Sequence, residues 1–313
     1  DQLQEDEVSI SALPQTSEFM AILHGTPDTS LDAFGKTALQ LDGIGDWVEI
    51  PNHEQINEGG PWSNRTVTSV FKVEDASIEK HKQVIYEQGG QIRGLNLYVY
   101  KGRLYAGGYN KESSESNWQG NWVSTPIVSD KWYQAAMVLR GGTDRFGDGR
   151  LELWLNGQLI SSEPAARIHG DDGRIGLGKV NQSTLFHDGT GGEDNHFFTG
   201  LISSLDVYGS VLSETSLQGM TIGPLSSLAV GWKSHADRPK SITVGTSTLN
   251  QPLGQLIFSS TNNGGTVQSI SWDLLDKTVS GNNNLVNPSA IKLHGYIGDK
   301  SGTPITATLD GDN

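Results

Sequence analysis

The chain has no cysteine. That excludes disulfides, thiolate nucleophiles and thiolate metal sites. An extracellular animal protein of this length ordinarily carries disulfides, so bacterial secretion fits the absence better, with a cytosolic location left open. Positive charge is scarce: 22 Lys and Arg stand against 36 Asp and Glu, for a formal charge of −14. Without a basic cluster, such a surface repels phosphate backbones and anionic lipid, which argues against nucleic-acid binding and membrane adhesion. No apolar run approaches the roughly 18 residues that cross a bilayer, and no signal-peptide pattern is present. No window supports a long amphipathic helix, and the best short candidate is 212–220.

What the chain does have is glycine, 39 of them, and many short alternating runs in 313 residues. Together these predict an all-β protein rich in turns and long enough for two cores. The clearest run is Leu151, Leu153 and Leu155 on one face with Glu152 and Trp154 on the other, followed by Asn156-Gly157, which tolerates the positive φ angles of a tight hairpin. With the alternating run 130–139 it predicts antiparallel strands at the centre of a sandwich. A second hairpin is expected to turn on Lys101-Gly102. Two-residue register then puts Leu95, Leu97, Val99, Leu104 and Ala106 on a core face, and Tyr98, Tyr100, Arg103 and Tyr105 on the other; a slip of one residue would exchange the faces.

Past Gly223-Pro224 the composition turns to Ser, Thr and Asn, with alternating runs at 241–244, 255–259, 267–272, 291–297 and 305–309. This predicts a spacer domain over 223–313, about 90 residues, the size of an Ig-like sandwich. Residues 15–222 form the larger unit, and 1–14 hold a short strand, Val8 to Leu13, that could complete the second domain and make the larger one an insertion. The acidic start and the ending Asp310-Gly311-Asp312-Asn313 read as cuts within a longer multidomain polypeptide.

Several motifs in order resemble one superfamily. They are Ala38-Leu39-Gln40-Leu41-Asp42-Gly43 with Asp46-Trp47-Val48-Glu49-Ile50-Pro51, the Trp132 strand, Leu153-Trp154-Leu155-Asn156-Gly157, and Phe198-Thr199-Gly200-Leu201-Ile202 with Tyr208. The set is similar to the laminin-G-like, concanavalin-A-like lectin jelly rolls. The resemblance implies two antiparallel sheets face to face, often a structural calcium, and, in bacterial members, a place in large secreted adhesins or polysaccharide-degrading enzymes. Where many relatives carry an acid after the Gly-x-Ile unit, Ser203 stands here.

Three chemistries compete with plain packing as the meaning of these residues. Retaining glycoside hydrolysis needs two carboxyls about 5 Å apart, and Glu152 has no carboxylate at the alternate positions of its strand, so no enzyme is expected. Calcium needs six to eight oxygens. Candidate ligands are Asp42 and Asp46 at one turn, and Asp188, Glu193 and Asp194 in the loop 181–196; the plain alternative is hydrated acidic turns. Sugars stack on aromatics and hydrogen-bond planar polar groups. Candidate contacts are Tyr98, Tyr100, Arg103, Tyr105, Trp118, His187, Asp194, Asn195 and His196, against the alternative that the tyrosines pack under a loop. Trp47, Trp132 and Phe71 are expected in the core, and Trp232 and Trp272 in the core of the second domain. The leading expectation is a calcium-dependent glycan-binding module of a bacterial surface adhesin. The alternatives are an accessory module of a secreted polysaccharide-degrading enzyme or a structural, protein-binding sandwich.

Overall fold

A computed structural model describes residues 18–19, 21–221, 254–260 and 267–274, with side chains for 21–221. In chain order the strands are β1 (Glu18–Phe19), β2 (Ile22–His24), β3 (Asp28–Leu31), β4 (Thr37–Asp42), β5 (Trp47–Ile50), β6 (Arg65–Val73), β7 (Gln83–Gly89), β8 (Arg93–Tyr100), β9 (Arg103–Asn110), β10 (Trp118–Pro126), β11 (Trp132–Arg140), β12 (Gly149–Leu155), β13 (Gln158–Ala165), β14 (Ile175–Leu177), β15 (Ser183–Leu185), β16 (Gly191–Glu193), β17 (Thr199–Tyr208), β18 (Gly254–Ser260) and β19 (Val267–Leu274). The short helix α1 (Glu214–Gln218) is capped by the Ser213 hydroxyl on the Ser216 amide. The protein is all-β, as its alternating runs predict.

Two large antiparallel sheets face one another. The first runs β1-β19-β18-β17-β6-β11-β12-β13, with β4 also on β17 and β3 on β4; the second runs β10-β9-β8-β7-β14-β5-β2. Their inner faces hold one apolar core: Leu39, Phe71, Leu97, Val99, Leu104, Met137, Leu151, Leu153 and Phe198 are among its buried members. Antiparallel strands expose alternate residues to the two faces, which is why the leucines of β12 enter the core while Trp154 lies outside it. There Trp154 packs with Ala136, Val138, Leu212 and Leu217, so α1 covers the outer face of the first sheet.

Both turns hold. Asn156 and Gly157 have φ of 48° and 80°, and Lys101 and Gly102 have 48° and 72°, the two positive values that a two-residue turn with right-handed strand twist requires. The hairpin of β12 and β13 is not central, however. Among the described residues no strand pairs with the outer edge of β13, whose Leu159 and Ile160 are exposed, so the hairpin ends its sheet there. Trp132 is another correction: half-buried, it lies under the Lys72 ammonium, 5.8 Å from the ring centre, whereas Trp47 and Phe71 are buried. Ser203 falls where β17 shifts register between Ile202 and Ser204, and is buried.

Strands β18 and β19 form a hairpin attached to the first sheet: Asp206 and Val207 of β17 pair with Gln255 and Gly254, and Phe19 of β1 pairs with Trp272. Val8 to Leu13, the expected strands 241–244, 291–297 and 305–309, Trp232, Asp310 and Asp312 lie outside the described residues. Among the described residues no helix is long and apolar enough to cross a membrane.

Candidate functional site

The outer face of the second sheet is aromatic because of the β8–β9 register. Tyr98 pairs with Tyr105, Tyr100 with Arg103 and Val99 with Leu104, so the valine and leucine enter the core and the tyrosines and arginine stand outside. Beside them, β10 contributes Trp122 and Ser124, opposite Gly107 and Tyr105.

A flap crosses this face. It is the segment between β14 and β17, expected as an unstructured loop 181–196, and it contains the small hairpin of β15 and β16. Its anchor is Phe186, fully buried with Tyr98, Val84 and Val180. Phe186 meets Tyr98 edge-on at 4.9 Å and His196 at 4.8 Å. The flap's backbone is tied down by the Val84 amide donating to the His196 carbonyl and the Val180 amide donating to the Asn195 carbonyl. Asn96 of β8 donates to the Leu185 carbonyl at 2.8 Å, and the Leu185 amide donates to the Tyr109 hydroxyl at 2.9 Å.

His187, next to the anchor, forms the site's upper surface. Its ring stacks on Tyr105 at 4.2 Å, and Tyr105 stacks on Tyr98 at 5.1 Å. The Tyr98 hydroxyl accepts from the His187 amide at 3.1 Å and lies 2.8 Å from His187 Nδ1. An oxygen already accepting from the amide is best placed to donate to Nδ1, which leaves the proton of a neutral ring on Nε2. Burial pushes the Tyr98 hydroxyl well above its ordinary value and the His187 imidazole below its own, so both are neutral at pH 7.

Charge at the platform's edge is ordered by Lys82, which the sequence reading did not single out. Its buried ammonium donates to Asp188 at 2.7 Å and to the Thr190 hydroxyl at 2.9 Å, and lies 5.0 Å over the Tyr100 ring and 4.9 Å over Phe186. Burial pushes the Asp188 carboxyl up, but the Lys82 ammonium and the Thr190 bonds outweigh it and hold the carboxyl below the usual range. His196 Nδ1 accepts from the Lys82 amide, and burial, with Lys82 and His81 nearby, lowers its imidazole to about 4.

Trp122 lies half-buried across Gly107 and Gly120, its indole N–H donating to Asn96 Oδ1 at 3.3 Å. A Cβ on Gly107 would overlap the indole and the Asn96 amide. Gly107→Ala is therefore expected to displace Trp122 and to cost about 1–3 kcal/mol, read by chemical denaturation together with the shift of the indole N–H resonance.

The expected site residues divide. Tyr98, Tyr100, Arg103, Tyr105 and His187 come together, with Tyr98 fully buried as the support and the other four half-exposed. Trp118 does not belong: it is buried in the core against Leu95 and Gly108. The reason is a register shift between Trp118 and Asn121, which places Trp118 and Trp122 on opposite faces although they are four residues apart. His196 is a support beneath the flap. Asp194 and Asn195 are exposed, and Asp194 pairs with Lys179 at 3.4 Å on the far side of the flap's base.

The acids expected as calcium ligands mostly take partners within the protein. Asp42 Oδ1 accepts from the amides of Ile44, Gly45 and Asp46, and the two oxygens of Asp46 accept from Thr26 and Asp42. Asp188 is held by Lys82 and Thr190, Asp194 by Lys179, and Glu193 is an exposed strand residue. Among the described residues no three His, Asp or Glu gather as a metal cluster. Each acidic turn is satisfied by its own amides or by a lysine. Glu152, the one acid of β12, is bound by Arg140 at 2.7 Å and by the Trp154 indole at 2.9 Å.

No family model matches the chain, and no curated protein matches it either. Solved structures similar to it include the receptor-binding domain of botulinum neurotoxin serotype G, at 12% identity over 65% of this chain and 46% of that one, with a TM-score of 0.47. The binding domain of Paraclostridial Mosquitocidal Protein 1 is similar at 12% identity over 63% and 46%, TM-score 0.47. The binding domain of botulinum neurotoxin serotype D is similar at 13% identity over 65% and 50%, TM-score 0.44. The chain spans about half the length of these structures or less.

Proposed function

We propose that this protein is a glycan-binding module of a secreted bacterial protein and that its site is the strip of the second sheet bounded by the flap and β10. The observation that carries the reading is the stacked set Tyr98, Tyr105 and His187, locked by the Tyr98–His187 bonds, with Tyr100, Arg103 and Ser124 at its margin. Rigid aromatic faces for the apolar side of a pyranose, beside fixed donors and acceptors for its hydroxyls, are what a sugar site needs, and pre-ordered rings give up little entropy on binding. The reading also supports the adhesin placement, since a module of this kind serves attachment.

The test is a glycan array probed with the protein, with Tyr105→Ala and Tyr100→Ala alongside, in calcium and in EGTA. Binding is expected to fall about tenfold or more in each variant, as loss of a stacking face of 1–2 kcal/mol implies. It is expected to survive chelation, because the candidate calcium ligands are occupied by amides and lysines. An array with no signal would leave the sandwich a structural or protein-binding one, and variants that bind as the parent does would move the glycan site off this strip.

A further inference from the structure

Resting on that reading, we infer that the ligand is an acidic glycan whose sugar carboxylate is received by Arg103. The charges around the platform carry it. Arg93, Arg140 and Arg167 each fork onto a carboxylate, of Glu115, Glu152 and Asp144 respectively. Arg103 does not. Its guanidinium is steadied by Ser124 alone, with Nε on the hydroxyl at 3.2 Å, Nη2 on the hydroxyl at 3.1 Å and Nη2 on the carbonyl at 3.3 Å. Among the described residues no acid pairs with it and Nη1 has no partner, in a chain where acids outnumber bases by 36 to 22.

Arg103 is also placed for the task. It stands directly across the strand pair from Tyr100 and two residues before Tyr105 on the same face. The Tyr100 ring has the Lys82 ammonium at 5.0 Å and the Lys101 ammonium at 5.1 Å. Lys82 is neutralised at 2.7 Å by Asp188, but Lys101 meets only Glu79, at 3.6 Å, with both side chains largely in solvent. The uncompensated charge at this edge is therefore positive, while the molecule as a whole is strongly negative. A guanidinium fixed along Nε and Nη2 presents its free Nη1 edge as a planar donor, which suits a carboxylate better than a tetrahedral sulfate, and desolvation by neighbouring rings strengthens the pairing.

The test is affinity electrophoresis and calorimetry with polygalacturonate, its fully methyl-esterified form, dextran and dextran sulfate, on the whole chain. Polygalacturonate is expected to bind, with esterification weakening it about tenfold, as loss of a charge-assisted hydrogen bond implies. Arg103→Gln is expected to reproduce that loss at unchanged thermal midpoint, and Arg103→Lys to recover only part of it. Lys101→Gln, farther from the fork, is expected to have a smaller effect and checks the assignment should Arg103→Gln fold poorly. Equal binding of the ester and the acid, or of dextran, would overturn the acidic-sugar inference and leave the glycan reading standing. Dextran sulfate bound as tightly as polygalacturonate, with Arg103→Lys fully active, would show a mere charge patch and also overturn it. No binding to any of the four, together with a silent array, would remove both.

Discussion

Phe186→Ala is expected to release the flap and to abolish ligand binding. Phe186 is fully buried between the second sheet and its covering segment, in contact with Tyr98, Val84, Val180, His196 and the Lys82 ammonium. Truncating a buried phenylalanine costs about 3–5 kcal/mol through lost transfer energy and the cavity left behind. Here the loss falls on one segment. The main core lies on the other side of the sheet and is untouched, and what Phe186 holds is the run from β14 to β17 with His187 upon it. The expected signature is a lowered denaturation midpoint accompanied by loss of hydrogen-exchange protection at the Leu185, Val180 and Val84 amides, with β6, β11 and β12 still protected. Ligand affinity is expected to vanish because His187 and Tyr105 then lose their stacking. Uniform loss of protection throughout the sandwich, or intact ligand binding, would mean that Phe186 is an ordinary core residue and that the flap does not build the site.

Acidification is expected to loosen the same flap. His196 is neutral and half-buried, with Lys82, His81 and Asp188 facing it and Phe186 against its ring. His81 Nε2 is buried without a partner, and burial lowers its imidazole too, with Lys80 adding to the effect. His187 faces Asp188, Lys82, Lys101 and the hydroxyls of Tyr98 and Tyr105, and burial again leads. A histidine whose folded value is depressed favours the native state while neutral. The opened flap binds the proton first, so stability is lost as pH falls from about 6.5 toward the His196 value of about 4. His196 increases opening by up to about tenfold per pH unit in that window, and His81 and His187, also lowered by burial, act in the same direction. Asp188, whose carboxyl is held low, keeps its bond to Lys82 until below the ordinary carboxylate value of 3.8 and does not interfere. Glu87 works in the other direction: burial raises its carboxyl well above 4.5, so its protonation favours the fold as pH drops. Local exchange is therefore the proper readout and global melting is not. The protection of the Val84 and Val180 amides, corrected for intrinsic rate, is expected to fall between pH 6.5 and 4.5, and His196→Gln is expected to flatten that dependence. Protection that holds steady in the parent would show that the histidines titrate without opening the flap.

How much of this was written in the sequence depends on how local the cause was. Lys101-Gly102 and Asn156-Gly157 carry their turn geometry in two residues, and alternation does the rest, so the tyrosine face of β8 and β9 was legible with its register. Trp118 was not, because the bulge between it and Asn121 breaks the period of two on which any assignment of faces relies. Strand β7, Gln83–Gly89, escaped for a related reason: it is buried on both faces and itself shifts register between Val84 and Tyr86, so its residues do not alternate. Lys82 had no local signal. Its meaning comes from Asp188, 106 residues later, and that pairing exists only once the flap has folded over the sheet. The acidic turns are ambiguous in sequence, since Asp-Gly runs suit calcium loops and simple capped turns alike; in the structure Asp42 accepts from the amides of Ile44, Gly45 and Asp46.

The central claim is one of place: that ligand meets the protein on the aromatic strip of the second sheet. Chemical-shift mapping of the labelled protein, titrated with the strongest glycan from the array, tests it most directly. Perturbations are expected at the amides of 98–105, 122–124 and 186–190 and at the Trp122 indole N–H, with the α1 face of the first sheet silent. Perturbations gathered instead at the Asp42–Asp46 turn, on the Trp154 face, or at the exposed Leu159 and Ile160 of β13 would contradict it.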